Sequence, residues 1–323
     1  RLPSRSAEQN ELGGSKHVNA VRVSPHALDC WNRTISNYSR ILVLGPTGWF
    51  GRTALELSFL SNAAFYLVGS RRRDVQLGER TLTVHEWDEQ DLEGFSPDLV
   101  LDFAYLTRNW ISELGVAEYR ARNEVLAERL VWAATLKSVK TVLTISSGAA
   151  VQPKLDPYGE GKRRIELALG DALRATSANL GVLRAWSVSG GFVREPDQYA
   201  LSSFIRQGID SGNIRVSADR MVYRRYCAVE ELLAVGLHLA HNHSYTLLES
   251  GGEKFEMVEI AQKVAKQIPG AKVILEHLAR DSKDPDDYSS DNESWVQGIR
   301  EANLVAMEVD EQIANVVHAL RHR

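Results

Sequence analysis

A tyrosine and a lysine stand four residues apart in Asp156-Pro157-Tyr158-Gly159-Glu160-Gly161-Lys162, where a helix is about to begin. Helical spacing places the two side chains on one face. A phenol ordinarily titrates near pH ~10, and an adjacent ammonium favours its phenolate. Such a pair could exchange a proton with a substrate hydroxyl or carbonyl near neutral pH, which is the chemistry of an alcohol–ketone oxidoreductase. Upstream of Tyr158 the apolar run 141–145 reads as a strand ending in Ile145-Ser146-Ser147-Gly148. Strand ends in open α/β sheets face the ligand crevice, so a hydroxyl here could hydrogen-bond the oxygen that the phenol protonates. Ser147 is the candidate, with Ser146 as the alternative.

A second constellation lies near the start of the patterned chain. Gly45-Pro46-Thr47-Gly48-Trp49-Phe50-Gly51 follows the hydrophobic strand 41–44 and leads into a helix at 53–60. Glycines let a backbone turn tightly against a pyrophosphate, whose charge then meets the helix N-terminus. Between a strand and an amphipathic helix this turn reads as a dinucleotide site formed by Gly45, Thr47, Gly48, Trp49, Phe50 and Gly51. The second strand, 65–69, ends Gly69-Ser70-Arg71-Arg72-Arg73. NAD-specific sites usually carry an acid at this point, whereas arginine accommodates a 2′-phosphate, so Ser70 and Arg71 point to NADP, with NAD possible. Asp88, after the third strand at 82–85, is positioned to face the adenine. Ala104, closing the fourth strand at 99–104, is taken with them as a cofactor contact.

The elements that must position these groups alternate. Short apolar runs at 41–44, 65–69, 82–85, 99–104, 141–145 and 180–186 are separated by helical patterns, among them 113–136 and the helix after Tyr158. The pattern implies a parallel sheet covered on both faces. Residues 1–38 are polar and irregular and read as an N-terminal extension, and Gly190-Gly191 breaks the alternation. The expected organisation is a cofactor-binding domain over 39–190 and a smaller, mainly substrate-binding region over 191–323, with helices near 229–241 and 257–267 and an exposed acidic loop at 281–291.

Composition excludes several classes. With 323 residues, 44% hydrophobic and 25% charged, the chain can bury a substantial core. Thirty-eight basic against 42 acidic residues give a net charge of −4 and no nucleic-acid surface. Cys30 and Cys227 have no metal-ligand spacing, and His238, His241 and His243 lack a completing carboxylate or thiol, so no metal is expected. No apolar run approaches the ~20 residues of a membrane span, and the polar N-terminal stretch lacks a signal peptide's apolar core. A cytoplasmic protein is the expectation.

The order of motifs from about Ile41 to Ala319 resembles the extended short-chain dehydrogenase/reductase superfamily, in particular its NAD(P)-dependent nucleotide-sugar epimerase/dehydratase family. The resemblance implies an α/β fold with a Rossmann-type doubly wound parallel sheet, and Ser147, Tyr158 and Lys162 as the catalytic set, Lys162 also holding the nicotinamide ribose. Asn123, in Arg122-Asn123-Glu124-Val125-Leu126, matches the helix asparagine that completes the catalytic hydrogen-bond network. Leu183-Arg184-Ala185-Trp186 resembles the segment after the family's sixth strand. Tyr223-Arg224-Arg225-Tyr226 with Glu231-Leu232 resembles its Arg-x-Tyr and Asp-Leu segment, so Arg224 would clamp a sugar-nucleotide diphosphate, with Arg215 as a second candidate.

Departures from the family pattern are informative. Val151 stands where tyrosine is frequent, and Gly148-Ala149 replaces the Asp-Glu pair of the 4,6-dehydratases, removing the acid and base that elimination needs. The expected reaction is hydride transfer between a nicotinamide cofactor and a nucleotide-linked sugar, most simply reduction of a 4-keto-6-deoxy sugar. An epimerase with tightly held NAD, or a non-catalytic cofactor sensor or scaffold, are the alternatives. Apolar positions on helix 113–136 (Val116, Tyr119, Leu126, Leu130) and on the helix after Tyr158 (Ile165, Leu167, Leu169, Leu173) exceed what one sheet face requires. Together with the family's habit of pairing these helices across a twofold axis, they imply a homodimer.

Overall fold

The protein is described by a computed structural model covering residues 21–77, 80–152, 156–277 and 281–322. Its first half runs α1 (Pro25–Ile35), β1 (Arg40–Leu44), α2 (Trp49–Leu57), β2 (Ala64–Val68), β3 (Arg73–Leu77), β4 (Arg80–His85), α3 (Glu89–Phe95), β5 (Leu99–Asp102), α4 (Trp110–Ala134), β6 (Thr141–Ser147), α5 (Pro157–Leu173) and β7 (Asn179–Ala185). The second half adds β8 (Val188–Ser189), α6 (Ala200–Ser211), β9 (Asn213–Val216), β10 (Arg220–Arg225), β11 (Cys227–Ala228), α7 (Val229–Asn242) and β12 (Tyr245–Glu249). It ends with β13 (Lys254–Glu256), α8 (Met257–Gln267), β14 (Lys272–Leu275), β15 (Asp281–Asp287), α9 (Glu293–Glu301) and α10 (Val309–Arg321).

An eight-stranded sheet in the order β12-β7-β6-β5-β1-β2-β4-β3 organises the molecule. Its pairings are parallel except that β3 folds back antiparallel on β4. Strand alternation sorts side chains to opposite faces. Ile41 and Val43 of β1 enter a core with residues of α1, α2 and α7, whereas Leu42 and Leu44 enter another with α3, α4 and α5. This is the Rossmann-type doubly wound sheet. The strand order reverses at β1, so a crevice opens where the carboxyl ends of β1 and β5 diverge.

Two features differ from the linear partition. Residues 25–35, assigned to an irregular extension, form α1, capped by the Ser24 hydroxyl accepting from Ala27 N at 3.3 Å, with Pro25 in the first turn. Its buried face carries Ala27, Cys30, Trp31 and Ile35, and Trp31 Nε1 donates to Ser58 Oγ at 3.0 Å on the neighbouring helix. The boundary at 190 is also crossed, because β12 adds to the sheet beside β7 and α7 covers the face beneath it. β7 would otherwise be a bare edge. The smaller C-terminal unit has its own core, with Phe204, Ile205, Ile260, Val264, Ile313 and Val316 at its centre. Among the described residues no helix is long and apolar enough to cross a membrane.

Candidate active site

The glycine turn leaves β1 with Gly45 at φ 73°, a conformation costly for any residue with a Cβ. A Cβ on Gly45 would lie 2.7 Å from the Phe103 carbonyl carbon and oxygen, and one on Gly51 would collide with Gly45 O. The turn is thus pressed against the segment that leaves β5, and no side chain fits between them. Gly48 caps α2, aiming that helix's free amides at the turn. Trp49 opens α2 and meets Tyr199 edge-on at 5.0 Å, while Phe50 packs partly buried on the core beside it. Asn123, buried on α4, accepts from Leu106 N at 2.9 Å and so holds the loop after β5, with its Nδ2 buried and without a partner among the described residues. Ala104 lies in the same loop, its amide donating to Asp102 Oδ1 at 3.1 Å.

Beside this cradle β6 delivers Ser147 and α5 delivers Tyr158 and Lys162. Asp156 caps α5 by accepting from Gly159 N at 2.8 Å, and Pro157 occupies the first helical position, which sets Tyr158 in the opening turn. Ser147 is 5% exposed, and its hydroxyl lies near enough to the half-buried Tyr158 to act on the phenol's titration. Burial pushes that phenol's pKa up, with the Ser147 hydrogen bond working against the rise.

Lys162 does not produce the depression expected from helical spacing. Its ammonium, on a 6% exposed side chain, donates to Ile145 O at 2.6 Å and lies 4.0 Å over the Tyr105 ring. Burial pulls its pKa down to about 8, opposed by the charges of Asp102 and Glu166. Asp102, buried at the end of β5, accepts from Thr144 Oγ1 at 2.8 Å, and burial raises its pKa against the pull of Lys162.

Several groups around the pair carry no sequence motif. Tyr105 meets Tyr158 edge-on at 5.8 Å, and the Arg108 guanidinium stands 5.4 Å from the Tyr158 ring while pairing with Asp156 at 2.6 Å. Tyr288 brings its hydroxyl to 3.4 Å from Ser147 Oγ, and its ring packs on Trp186 at 4.9 Å. The acidic stretch expected as a loop is therefore exposed strand over 281–287 that turns inward at Tyr288. Only an aromatic ending an otherwise charged run hinted at this.

A cluster of cations flanks the glycine turn. Arg73, the first residue of β3, donates to Thr47 Oγ1 at 2.7 Å, and its Nε is buried without a partner among the described residues. Burial and then the charges of Arg71, Arg194 and Arg52 lower its pKa. Arg194 reaches back from the C-terminal half to Thr47 O at 3.4 Å. Among the described residues no ion pair engages any of these four arginines, so their positive charge is not neutralised by a carboxylate there. Ser70 and Arg71 lie exposed in the turn between β2 and β3, at its margin.

Other candidates sit elsewhere. Asp88 caps α3, accepting from Asp91 N at 3.0 Å, so its carboxylate already has a structural partner. Arg224 pairs with Asp286 at 3.0 Å, and its guanidinium stands 5.6 Å over the Tyr288 ring, at the edge of the site. Arg215 is exposed on β9 and pairs with Glu276 at 3.7 Å; among the described residues no contact joins it to Ser147, Tyr158 or Arg224.

No protein-family model matches the sequence, and no curated protein sequence matches it. Solved structures do match the fold. MoeE5 in complex with UDP-glucose and NAD superimposes with a TM-score of 0.69 at 19% identity, over 88% of this chain and 99% of that one. TunA, an NAD-dependent NDP-hexosamine 5,6-dehydratase involved in tunicamycin biosynthesis, gives 0.70 at 18% identity over 88% and 98%. The UDP-glucuronic acid 4-epimerase from Bacillus cereus, in complex with NAD, gives 0.68 at 17% over 87% and 96%. Over nearly the whole of those chains, this protein has the fold of extended short-chain dehydrogenase-type nucleotide-sugar epimerases and dehydratases.

Proposed function

We propose that this protein is a nicotinamide-dependent oxidoreductase acting on a nucleotide-linked sugar, most simply as a ketoreductase. The observation that carries the reading is buried Ser147 beside half-buried Tyr158 at the end of the sheet, next to a glycine cradle with no room for a Cβ at Gly45 or Gly51. The cradle and the free arginine cluster suit a dinucleotide: Gly45, Gly48 and Gly51 would lie along its pyrophosphate, and Lys162 and Asn123 have donors near its nicotinamide end. When bound, the cofactor supplies or accepts the hydride. Ser147 would hydrogen-bond the substrate oxygen and Tyr158, protonated at neutral pH, would give it the proton. Mixing the purified protein with a reduced cofactor and a nucleotide-linked 4-keto-6-deoxy sugar tests this, by stoichiometric loss of reduced cofactor and appearance of the sugar alcohol.

The epimerase reading stands beside it, favoured by neighbours solved with NAD. In that case cofactor would co-purify and sugar would change configuration with no net oxidation.

The arginines favour NADP. Arg71 and Arg73, with Arg52 and Arg194 nearby, offer charge-assisted donors to a 2′-phosphate and no acid to the free ribose hydroxyls. NADPH is expected to bind roughly tenfold more tightly than NADH, a difference of ~1.4 kcal/mol, and Arg73→Ala should erase the preference. Fluorescence titration with both cofactors decides it, and equal affinities in the wild type would assign the cluster to another anion.

A homodimer through α4 and α5 also belongs to this reading. Leu130, Ile165, Leu169 and Leu173 turn inward on the protein's own sheet and Tyr119 is buried against the loop after β5, so less apolar surface remains than the sequence suggested. What remains includes exposed Leu167 and Val116 and a groove of about 400 Å³ between the helices, lined partly by Ala127, Val131, Trp132 and Ala168. Sedimentation equilibrium is expected to show twice the chain mass at micromolar concentration, and a 36.0 kDa species throughout would overturn the pairing.

A further inference from the structure

Arg224 and Ser147, the two groups assigned to the substrate's phosphate and sugar ends, are both engaged by one short stretch of this chain. The Arg224 guanidinium donates to the Asp286 carboxylate at 3.3 and 3.0 Å through its two terminal nitrogens, and to Asp286 O at 3.1 Å. Two residues further on, the Tyr288 hydroxyl lies 3.4 Å from Ser147 Oγ. The rest of the stretch repeats the acid-to-base pattern, with Asp284 on Arg220 at 3.4 Å and Asp287 on Lys254.

The stretch is weakly held. β15 is the outer strand of the sheet β13-β10-β15, and every residue from Asp281 to Asp287 is exposed. Its only apolar side chain before Tyr288 is exposed Pro285, and ion pairs with a solvent-exposed partner, as Asp284, Asp286 and Asp287 are, contribute only about 0–1 kcal/mol each. Segments with few buried apolar contacts open at low cost.

We propose that residues 281–288 are a built-in occupant of the substrate site, with Asp286 standing where a diphosphate would meet Arg224 and Tyr288 where a sugar oxygen would meet Ser147. The inference rests on the substrate class proposed above. A nucleotide-linked sugar binds by exchange: its phosphates replace the Asp286 carboxylate, and its sugar replaces the phenol. Apparent affinity is then lowered by the fraction of molecules in which the segment is seated. A ligand that engages both ends displaces the segment more completely than one that engages either alone.

The test uses the full chain and UDP as the probe. In hydrogen–deuterium exchange, saturating UDP is expected to speed exchange across 281–288. By calorimetry Asp286→Asn is expected to bind UDP roughly two- to fivefold more tightly than the wild type, the range set by loss of one ion pair whose acid is exposed. Slower exchange across 281–288 would make the stretch a cover that closes over the ligand, and unchanged exchange would leave it a bystander; either overturns the proposal. So does an Asp286→Asn protein that binds UDP no more tightly. If neither protein binds UDP at millimolar concentration, the substrate reading fails and this inference falls with it.

Discussion

Tyr158→Phe is expected to leave cofactor affinity close to the wild-type value and to lower turnover by at least ~100-fold, the usual weight of a positioned general acid. The substitution removes one oxygen and keeps the ring that meets Tyr105 edge-on at 5.8 Å and lies 5.4 Å from the Arg108 guanidinium. The fold and the cradle around Gly45 should not notice. Burial raises the phenol's pKa, so the group is protonated throughout the neutral range and is a donor in that state. A raised pKa has a direction in the kinetics: sugar reduction, which takes the proton, should hold its rate across neutral pH, while alcohol oxidation, which needs the phenolate, should accelerate as pH rises. Steady-state rates in both directions, for wild type and variant, check the assignment. A Phe variant that keeps its turnover would remove Tyr158 from the mechanism.

Gly45→Ala is expected to abolish measurable cofactor binding and to destabilise the fold on the order of 3 kcal/mol. Two independent causes act together. The residue sits at φ 73°, where a Cβ meets its own carbonyl, and the added carbon would lie 2.7 Å from the Phe103 carbonyl and 2.8 Å from Ala104 N. Those atoms are backbone and cannot swing aside as a side chain would. Relief requires the turn to separate from the loop after β5, which is the loop that Asn123 holds by Leu106 N at 2.9 Å. Thermal melts of the apo protein and cofactor titration read the two effects separately. A melting point within a degree or two of the wild type would show that the turn can move away from the Phe103 carbonyl at little cost.

Much of the sheet is legible in linear sequence because its central strands, buried on both faces, read as short, mainly apolar runs. The runs 41–44, 65–69, 82–85, 99–104, 141–145 and 180–186 each match a strand within a few residues. The glycine turn is legible for a related reason, since a missing side chain has few local meanings between a strand and a helix. Less visible were α1, whose Ser24-Pro25 start and Cys30-Trp31 face lie in an otherwise polar stretch, and β3, whose Arg73 reads as part of a basic turn until the hairpin with β4 places it on Thr47. β12 was hidden as well, because nothing in a linear reading says that residues 245–249 return to a sheet left at residue 185.

By itself the sequence determined the α/β alternation and the glycine turn, and it singled out Ser147, Tyr158 and Lys162 as candidates, because backbone period, glycine and side-chain type are local properties. Tertiary structure alone decided how those groups are charged and what they touch. Lys162, one helical turn from Tyr158, faces Ile145 O, Asp102 and the Tyr105 ring, and the phenol's pKa rises with burial. Arg224 meets an aspartate 62 positions away, and Ser147 a tyrosine 141 positions away. Spacing along a helix says which side chains share a face, but burial and charge depend on every element folded over that face, and those elements come from the far end of the chain.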